Sequence, residues 1–379
     1  MSSNTFFLAP LPPFRLDLTV WTLRRRPDNA VDRWDGQTYR RLLPLPGGPV
    51  DVAVTQVGPS EASKLRVTVE GQPLRSPVKV AVSSALHRLL GLTLDLGPFY
   101  RFAAREPLLG ELAQRFQGMK PPRFANVFEG VINAIACQQF TLTVGIRLLN
   151  GLATACGAAM GEGDATVHAF PRPEDLATMS PSLLRELKFS QQKGRAMIEL
   201  ARSVSEGSLN LDELESLPDD AALARLQHLR GVGRWTAEYV LLRGLGRIHV
   251  FPGDDVGARN SLQKWLGLRE PLDYDGVART LIRWQRFGGL IYFHLLLDRL
   301  ADAGCLQAEP LPWSESALDA GTDTKATTAG ANSTRSLEAE RAMPKDGGMS
   351  HDSFEASGSS LSSGTGKSPK PSKRRLIFW

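Results

Sequence analysis

The residues best suited to chemistry fall in one segment, Leu226 to Asp255. Its first part, Leu229-Arg230-Gly231-Val232-Gly233, predicts a helix ending at Arg230, a sharp turn, and a second helix opening near Arg234. Glycine admits backbone conformations closed to other residues, and Val232 can tuck inward to pin the turn. The N–H groups at the start of the second helix then face outward, where the helix dipole favours an anion such as a phosphate. Gly231, Val232, Gly233, Arg234 and Thr236 are the candidate contacts; a tight helix–helix connection with no ligand gives the same pattern. Trp235 and Tyr239 stand four apart and share a helix face. They form either a wall for a flat, electron-poor ring or an ordinary pair of core aromatics. Twenty residues past Trp235 lies Asp254-Asp255. A carboxylate here could stabilise developing positive charge or take a proton from water. Asp255 could equally serve only as the N-cap of a helix starting near Val256.

The elements that must position these groups divide the chain in three. Residues 1–107 read as β-rich: Phe14 to Leu23, Val50 to Val57 and Leu65 to Val69 alternate apolar and polar side chains. Pro44, Pro46, Gly47, Gly48 and Pro49 read as loop punctuation between strands. Val78 to Leu90 then changes to a helical period. Residues 108–306 are helical almost throughout. Phe128, Val131, Ile132 and Ile135 lie on one stripe, and Leu290 to Leu300 is apolar nearly all round, as a buried core helix should be. Residues 307–379 are rich in Ser, Gly, Thr and Ala and read as a disordered tail. Its end, Lys367 to Arg375, holds five basic residues and no acidic one; such a run is either an arm for phosphates or a solvated end. The predicted class is α+β: an antiparallel sheet domain with a helix, then a mostly helical domain.

Composition narrows the field. The chain has 379 residues, 42% of them hydrophobic, and a formal charge of +5, compatible with a polyanionic partner. The three cysteines, Cys137, Cys156 and Cys305, are too few and too scattered for a four-cysteine cluster or a disulfide framework. No apolar run is long enough for a membrane span, and the first residues do not read as a secretory signal. A cytoplasmic, nucleoid-associated location is the expectation, with no membrane partner.

The glycine hairpin, the helix after it and Phe251-Pro252-Gly253-Asp254-Asp255 together resemble the helix-hairpin-helix–Gly/Pro–Asp superfamily of DNA glycosylases. Within it, GVGRWTAEY followed by FPGDD is similar to the DNA-3-methyladenine glycosylase II (AlkA) type, and Phe128 to Gln139 resembles that type's first core helix and DNA-probing loop. The resemblance spans about residues 10–305. It implies a partner, double-stranded DNA with a damaged base, and hydrolysis of an N-glycosyl bond after the base is extruded. It assigns catalysis to Asp255 and probing of the duplex to Gln139, with Gln138 adjacent; Trp235 and Tyr239 read as the wall of the base pocket, and Asp254 as a helix cap or a supporting group beside Asp255. It implies no cofactor, though hairpin carbonyls at Leu229 and Val232 could hold a monovalent cation. Lyases of the superfamily carry a lysine where this chain has Trp235, and no lysine occurs between Lys193 and Lys264. A monofunctional enzyme with water as nucleophile is therefore expected. Leu296 and Val256 replace aromatics common in the family, which implies a less aromatic pocket. An inactive DNA-binding module and a glycosylase for deaminated or oxidised bases remain the alternatives; recognition of one damaged base needs only a monomer, which is the expected state.

Overall fold

The computed structural model describes residues 4–306; the basic-ended tail lies outside the described residues. Five strands, β1 (Thr5–Leu8), β2 (Arg33–Trp34), β3 (Thr38–Leu45), β4 (Gly48–Val57) and β5 (Lys64–Glu70), form an antiparallel sheet in the order β1-β5-β4-β3-β2. Val50, Val52 and Val54 on β4 and Leu65, Val67 and Val69 on β5 point to one face and are buried, as the period of two requires. The predicted proline–glycine loop is shorter than expected. Pro44 and Pro49 sit opposite each other in the ladder, and only Pro46 and Gly47 turn the chain.

The helices are α1 (Leu16–Arg24), α2 (Ser76–Leu90), α3 (Gly97–Ala103), α4 (Pro107–Arg115), α5 (Val127–Cys137), α6 (Leu142–Cys156), α7 (Pro173–Ala177) and α8 (Pro181–Glu186). They continue with α9 (Gln191–Ser205), α10 (Asp219–Gln227), α11 (Arg234–Arg243), α12 (Val256–Trp265), α13 (Tyr274–Leu281) and α14 (Gly288–Asp302). A small ribbon of β6 (Ala159–Met160) and β7 (Val167–His168) follows α6. Among the described residues no helix is long and apolar enough to cross a membrane.

The segment read as a strand at Phe14 to Leu23 is the helix α1. Its alternation is a product of double-sided packing. Leu16, Val20 and Leu23 face the core under the sheet, Leu18 faces the core around α14, and the intervening Thr19 and Thr22 are buried as well. A helix covered on both sides shows no polar face, so its period is hidden. The chain leaves α1 through Arg25, which is left-handed (φ 61°) and donates its N–H to the Trp21 carbonyl.

Three cores organise the molecule. One lies between the sheet, α1 and α2; a second joins α5, α6, α9, α10 and α11; a third joins α3, α4, α12, α13 and α14. A buried ionic group ties the sheet to α5: Arg41 contacts Asp32 at 2.7 Å and Glu129 at 2.6 Å, and the Tyr39 hydroxyl donates to Asp32. Each charge in it is paired, the condition under which burial is tolerated. The α14 helix is buried on nearly every side, as its composition predicts.

Candidate active site

The hairpin forms much as its residues predict. The last helical residue of α10 is Gln227 rather than Arg230, and residues 228–231 turn before α11 opens at Arg234. Val232 is buried in the second core and anchors the turn. The two glycines serve different ends. Gly231 is left-handed (φ 78°), and a Cβ there would meet the Ala196 Cβ at 3.0 Å. Gly233 is extended, exposed, and open to a side chain, with nothing within 4 Å of a Cβ. The turn itself therefore needs only the first glycine. The Leu229 carbonyl accepts the Val232 N–H within the turn, and among the described residues no His, Cys, Asp and Glu cluster could hold a metal ion.

The Pro252-Gly253-Asp254 turn is clamped onto α11. The Gly253 N–H donates to Glu238 (3.1 Å), whose other oxygen accepts from the Tyr274 hydroxyl (2.7 Å). Asp254 pairs with Arg234 at 2.7 Å, and the Arg234 guanidinium lies 3.7 Å from the centre of the Tyr274 ring. Asp254 is therefore not the cap of α12; Asp255 is, accepting the Ala258 N–H at 3.0 Å. Its other carboxylate oxygen accepts from the Trp235 indole N–H (3.2 Å) and lies 3.5 Å from the Tyr292 hydroxyl. Asp255 is only 4% exposed. Burial pushes its carboxyl up to about 7, against the opposing pull of the Ala258 and Trp235 hydrogen bonds.

A cavity of about 410 Å³ opens beside this carboxylate, at the seam of the second and third cores. Trp235 and Tyr239 line it with ring centroids 5.4 Å apart, and Asp254, Asp255, Gly233, Arg234 and Thr236 border it. Gln138 and Gln139 reach it from the loop after α5. Gln138 is bound inward, donating to the Gly231 carbonyl (2.7 Å) and the Thr236 hydroxyl (2.8 Å). Gln139 is exposed and left-handed (φ 57°), standing out from the cavity mouth. Lys193 braces this loop from below. Its ammonium donates to the carbonyls of Ala136 (3.1 Å) and Gln138 (2.5 Å) and lies 4.1 Å from the centre of the Phe140 ring. Burial lowers this amine to about 8.

Tyr292 and Arg25 are among the cavity residues that a reading of the sequence does not single out. Tyr292 lies one turn before Leu296 on α14 and brings an aromatic ring to the cavity, so the pocket is more aromatic than Leu296 and Val256 implied. The available signal was a hydroxyl within a mostly apolar helix, which a buried tyrosine must satisfy. Arg25, at the end of α1, also lines the cavity, and nothing in its local sequence marks it.

The architecture and this carboxylate, held at a helix start across from a glycine hairpin, define a helix-hairpin-helix protein with an acidic residue beside an aromatic cavity. Residues 132–286 match the HhH-GPD superfamily of base excision DNA repair proteins, so the chain carries a domain of that superfamily. It is similar to the DNA-3-methyladenine glycosylase of Bacillus subtilis, 27% identical over 226 residues that cover 60% of this chain and 75% of the relative. It is 32% identical to DNA-3-methyladenine glycosylase 2 of Escherichia coli over 149 residues, 39% of this chain and 51% of that protein. Among solved structures it resembles the 3-methyladenine DNA-glycosylase of Archaeoglobus fulgidus, with a TM-score of 0.66 and 28% identity, covering 78% of this chain and 99% of the other.

Proposed function

We propose that the protein is a monofunctional DNA N-glycosylase of base excision repair that extrudes an alkylated base of the 3-methyladenine kind from double-stranded DNA and releases it by hydrolysis, acting as a monomer. The observation that carries this reading is Asp255: a buried carboxylate, fixed by Ala258 and Trp235, on the wall of an aromatic cavity that borders the hairpin. Breaking the N-glycosyl bond leaves positive charge on the sugar. In this reading the Asp255 carboxylate stabilises that charge and takes a proton from the attacking water. The N–H groups at the start of α11 hold a backbone phosphate, and exposed Gly233 lets the strand approach. Gln139 enters the gap left by the extruded nucleotide, where its amide can bond the orphaned partner base. An alkylated purine is cationic and leaves as a neutral base, and the Trp235–Tyr239 wall suits such a ring.

The cavity-lining residues include no lysine, and Lys193, the buried lysine nearest this loop, donates to backbone carbonyls; a Schiff base with the sugar has no obvious donor. The test is release of methylated bases from duplex DNA followed by analysis of the strands without alkali. Free base with intact strands is expected. Free base accompanied by strand scission would contradict the monofunctional assignment, and DNA binding without base release would favour a non-catalytic module.

A further inference from the structure

Lys193 is a cation in a place that nothing in its own helix favours. It is the third residue of α9, at the helix start, where the dipole disfavours positive charge. It is 8% exposed, and among the described residues no carboxylate pairs with it. Its ammonium instead reaches two backbone carbonyls on either side of Cys137, where α5 ends. The Ala136 carbonyl is one of the orphaned acceptors of a helix end, and a cation there is an ordinary cap. The Gln138 carbonyl is different. Gln138 has left the helix (ψ 135°), and its carbonyl belongs to the peptide that joins it to Gln139. Gln139 is left-handed at φ 57°, a conformation strained for residues other than glycine. On its other side the Phe140 ring rests against the same ammonium, its centre 4.1 Å away. Lys193 thus holds the residues before and after Gln139, and the Gln138 side chain ties the first of them to the hairpin.

Resting on the glycosylase reading above, we propose that Lys193 is a positioning residue that presets Gln139 in its left-handed, outward conformation before DNA arrives, and so promotes extrusion of a paired base rather than cleavage of the glycosyl bond. Extruding a nucleotide costs free energy, and costs less where the base is already unpaired. A probe that must first be ordered adds its own entropy to that cost, and a preset one does not. Lys193 is not among the residues that line the cavity, so it acts on the loop and not on the base. Its removal therefore slows release where a partner base must be left behind, and spares release where there is no partner base.

The experiment measures single-turnover release of 7-methylguanine by the full chain from two duplexes that differ only opposite the lesion, one with cytosine and one with a stable abasic analogue. The readout is the ratio of the paired to the unpaired rate, which a loss of folded protein leaves unchanged because it lowers both rates alike. Lys193→Met should lower that ratio about tenfold, the size of a hydrogen bond from a charged group, and Gln139→Ala should lower it as well. In the double variant Lys193→Met should add nothing to Gln139→Ala, because it acts through that side chain. Lys193→Arg, which keeps the cation but changes the donor geometry, should give an intermediate ratio and carries the test if the Met variant does not fold. An unchanged ratio in Lys193→Met would overturn the proposal and leave the lysine a cap of α5. Additive effects of the two substitutions would overturn it as well. The glycosylase reading survives both outcomes; a wild type that releases base from neither duplex overturns that reading and this inference with it.

Discussion

At the scale of single residues, Asp255 combines the N-cap that the sequence allowed with a place on the cavity wall. It caps α12 through one oxygen and presents the other to Trp235 and the cavity. The two are compatible because a carboxylate accepts on both oxygens. Burial has a cost in stability, with a definite sign. Because the folded-state value is raised to about 7, the folded protein keeps a proton that the unfolded chain has already released between about pH 4 and 7. Stability therefore falls as pH rises through that window, and the penalty is fully present above it. Asp255→Asn keeps a good capping side chain and removes the buried charge. It should be more stable than wild type at pH 8, by up to about 4 kcal/mol, and no more stable near pH 4. Thermal melts at the two pH values check this; a variant destabilised at pH 8 would show that the charge is compensated in the fold.

At the scale of elements, the hairpin separates turn geometry from ligand access. Gly231 carries the positive φ and packs against Ala196, whereas Gly233 needs neither. Gly231→Ala should lower stability by about 1–2 kcal/mol, from the left-handed backbone and the tight contact. Gly233→Arg should leave the melting temperature nearly unchanged but weaken binding to damaged and undamaged duplexes alike. Thermal melts and binding titrations distinguish these effects, and full DNA affinity in Gly233→Arg would remove the hairpin from the interface. This element was legible in the sequence because its signals are local: two glycines, an aromatic pair and a carboxylate at fixed spacing. The α1 helix was not, because its burial on two sides erases the polar stripe that marks a helix. Strand β3 was equally hidden: its run of Arg40, Arg41, Leu42 and Leu43 breaks the alternation, since Arg41 turns inward to Asp32 and Glu129. Asp254 was misplaced as a possible cap because adjacent acids look alike until the loop's direction is known.

At the scale of the whole molecule, the cavity is an assembly of distant segments. Arg25 ends a helix of the N-terminal region, Gln138 follows α5, Trp235 and Tyr239 lie on α11, Asp255 begins α12 and Tyr292 belongs to α14. No spacing rule connects Arg25 or Tyr292 to the motif, so the juxtaposition of the motif's own residues could be read but the full lining could not. The buried Arg41 group and the Arg25 contacts with Tyr239 and Asn133 bind the N-terminal region to the helical core, so that region forms part of the cavity. The net charge of +5 implies a lesion-independent electrostatic contribution to DNA affinity. The logarithm of the binding constant for undamaged duplex should fall linearly with the logarithm of salt concentration. Titrations between 50 and 200 mM salt, concentrations of the kind over which phosphate-contacting proteins lose affinity, check this, and salt-independent binding would contradict it.

The central claim is that the Asp255 carboxylate acts at the sugar, and its most direct test is single-turnover base release from methylated duplex DNA by wild type and Asp255→Asn across pH 5 to 9. Wild-type release should rise as pH passes through about 7, where the buried carboxyl ionises, and then level off. Asp255→Asn should be slower by about 10²–10⁴-fold at the plateau, with no such rise. An Asn variant that released base at the wild-type rate with the same pH dependence would contradict the claim and leave Asp255 as a helix cap alone.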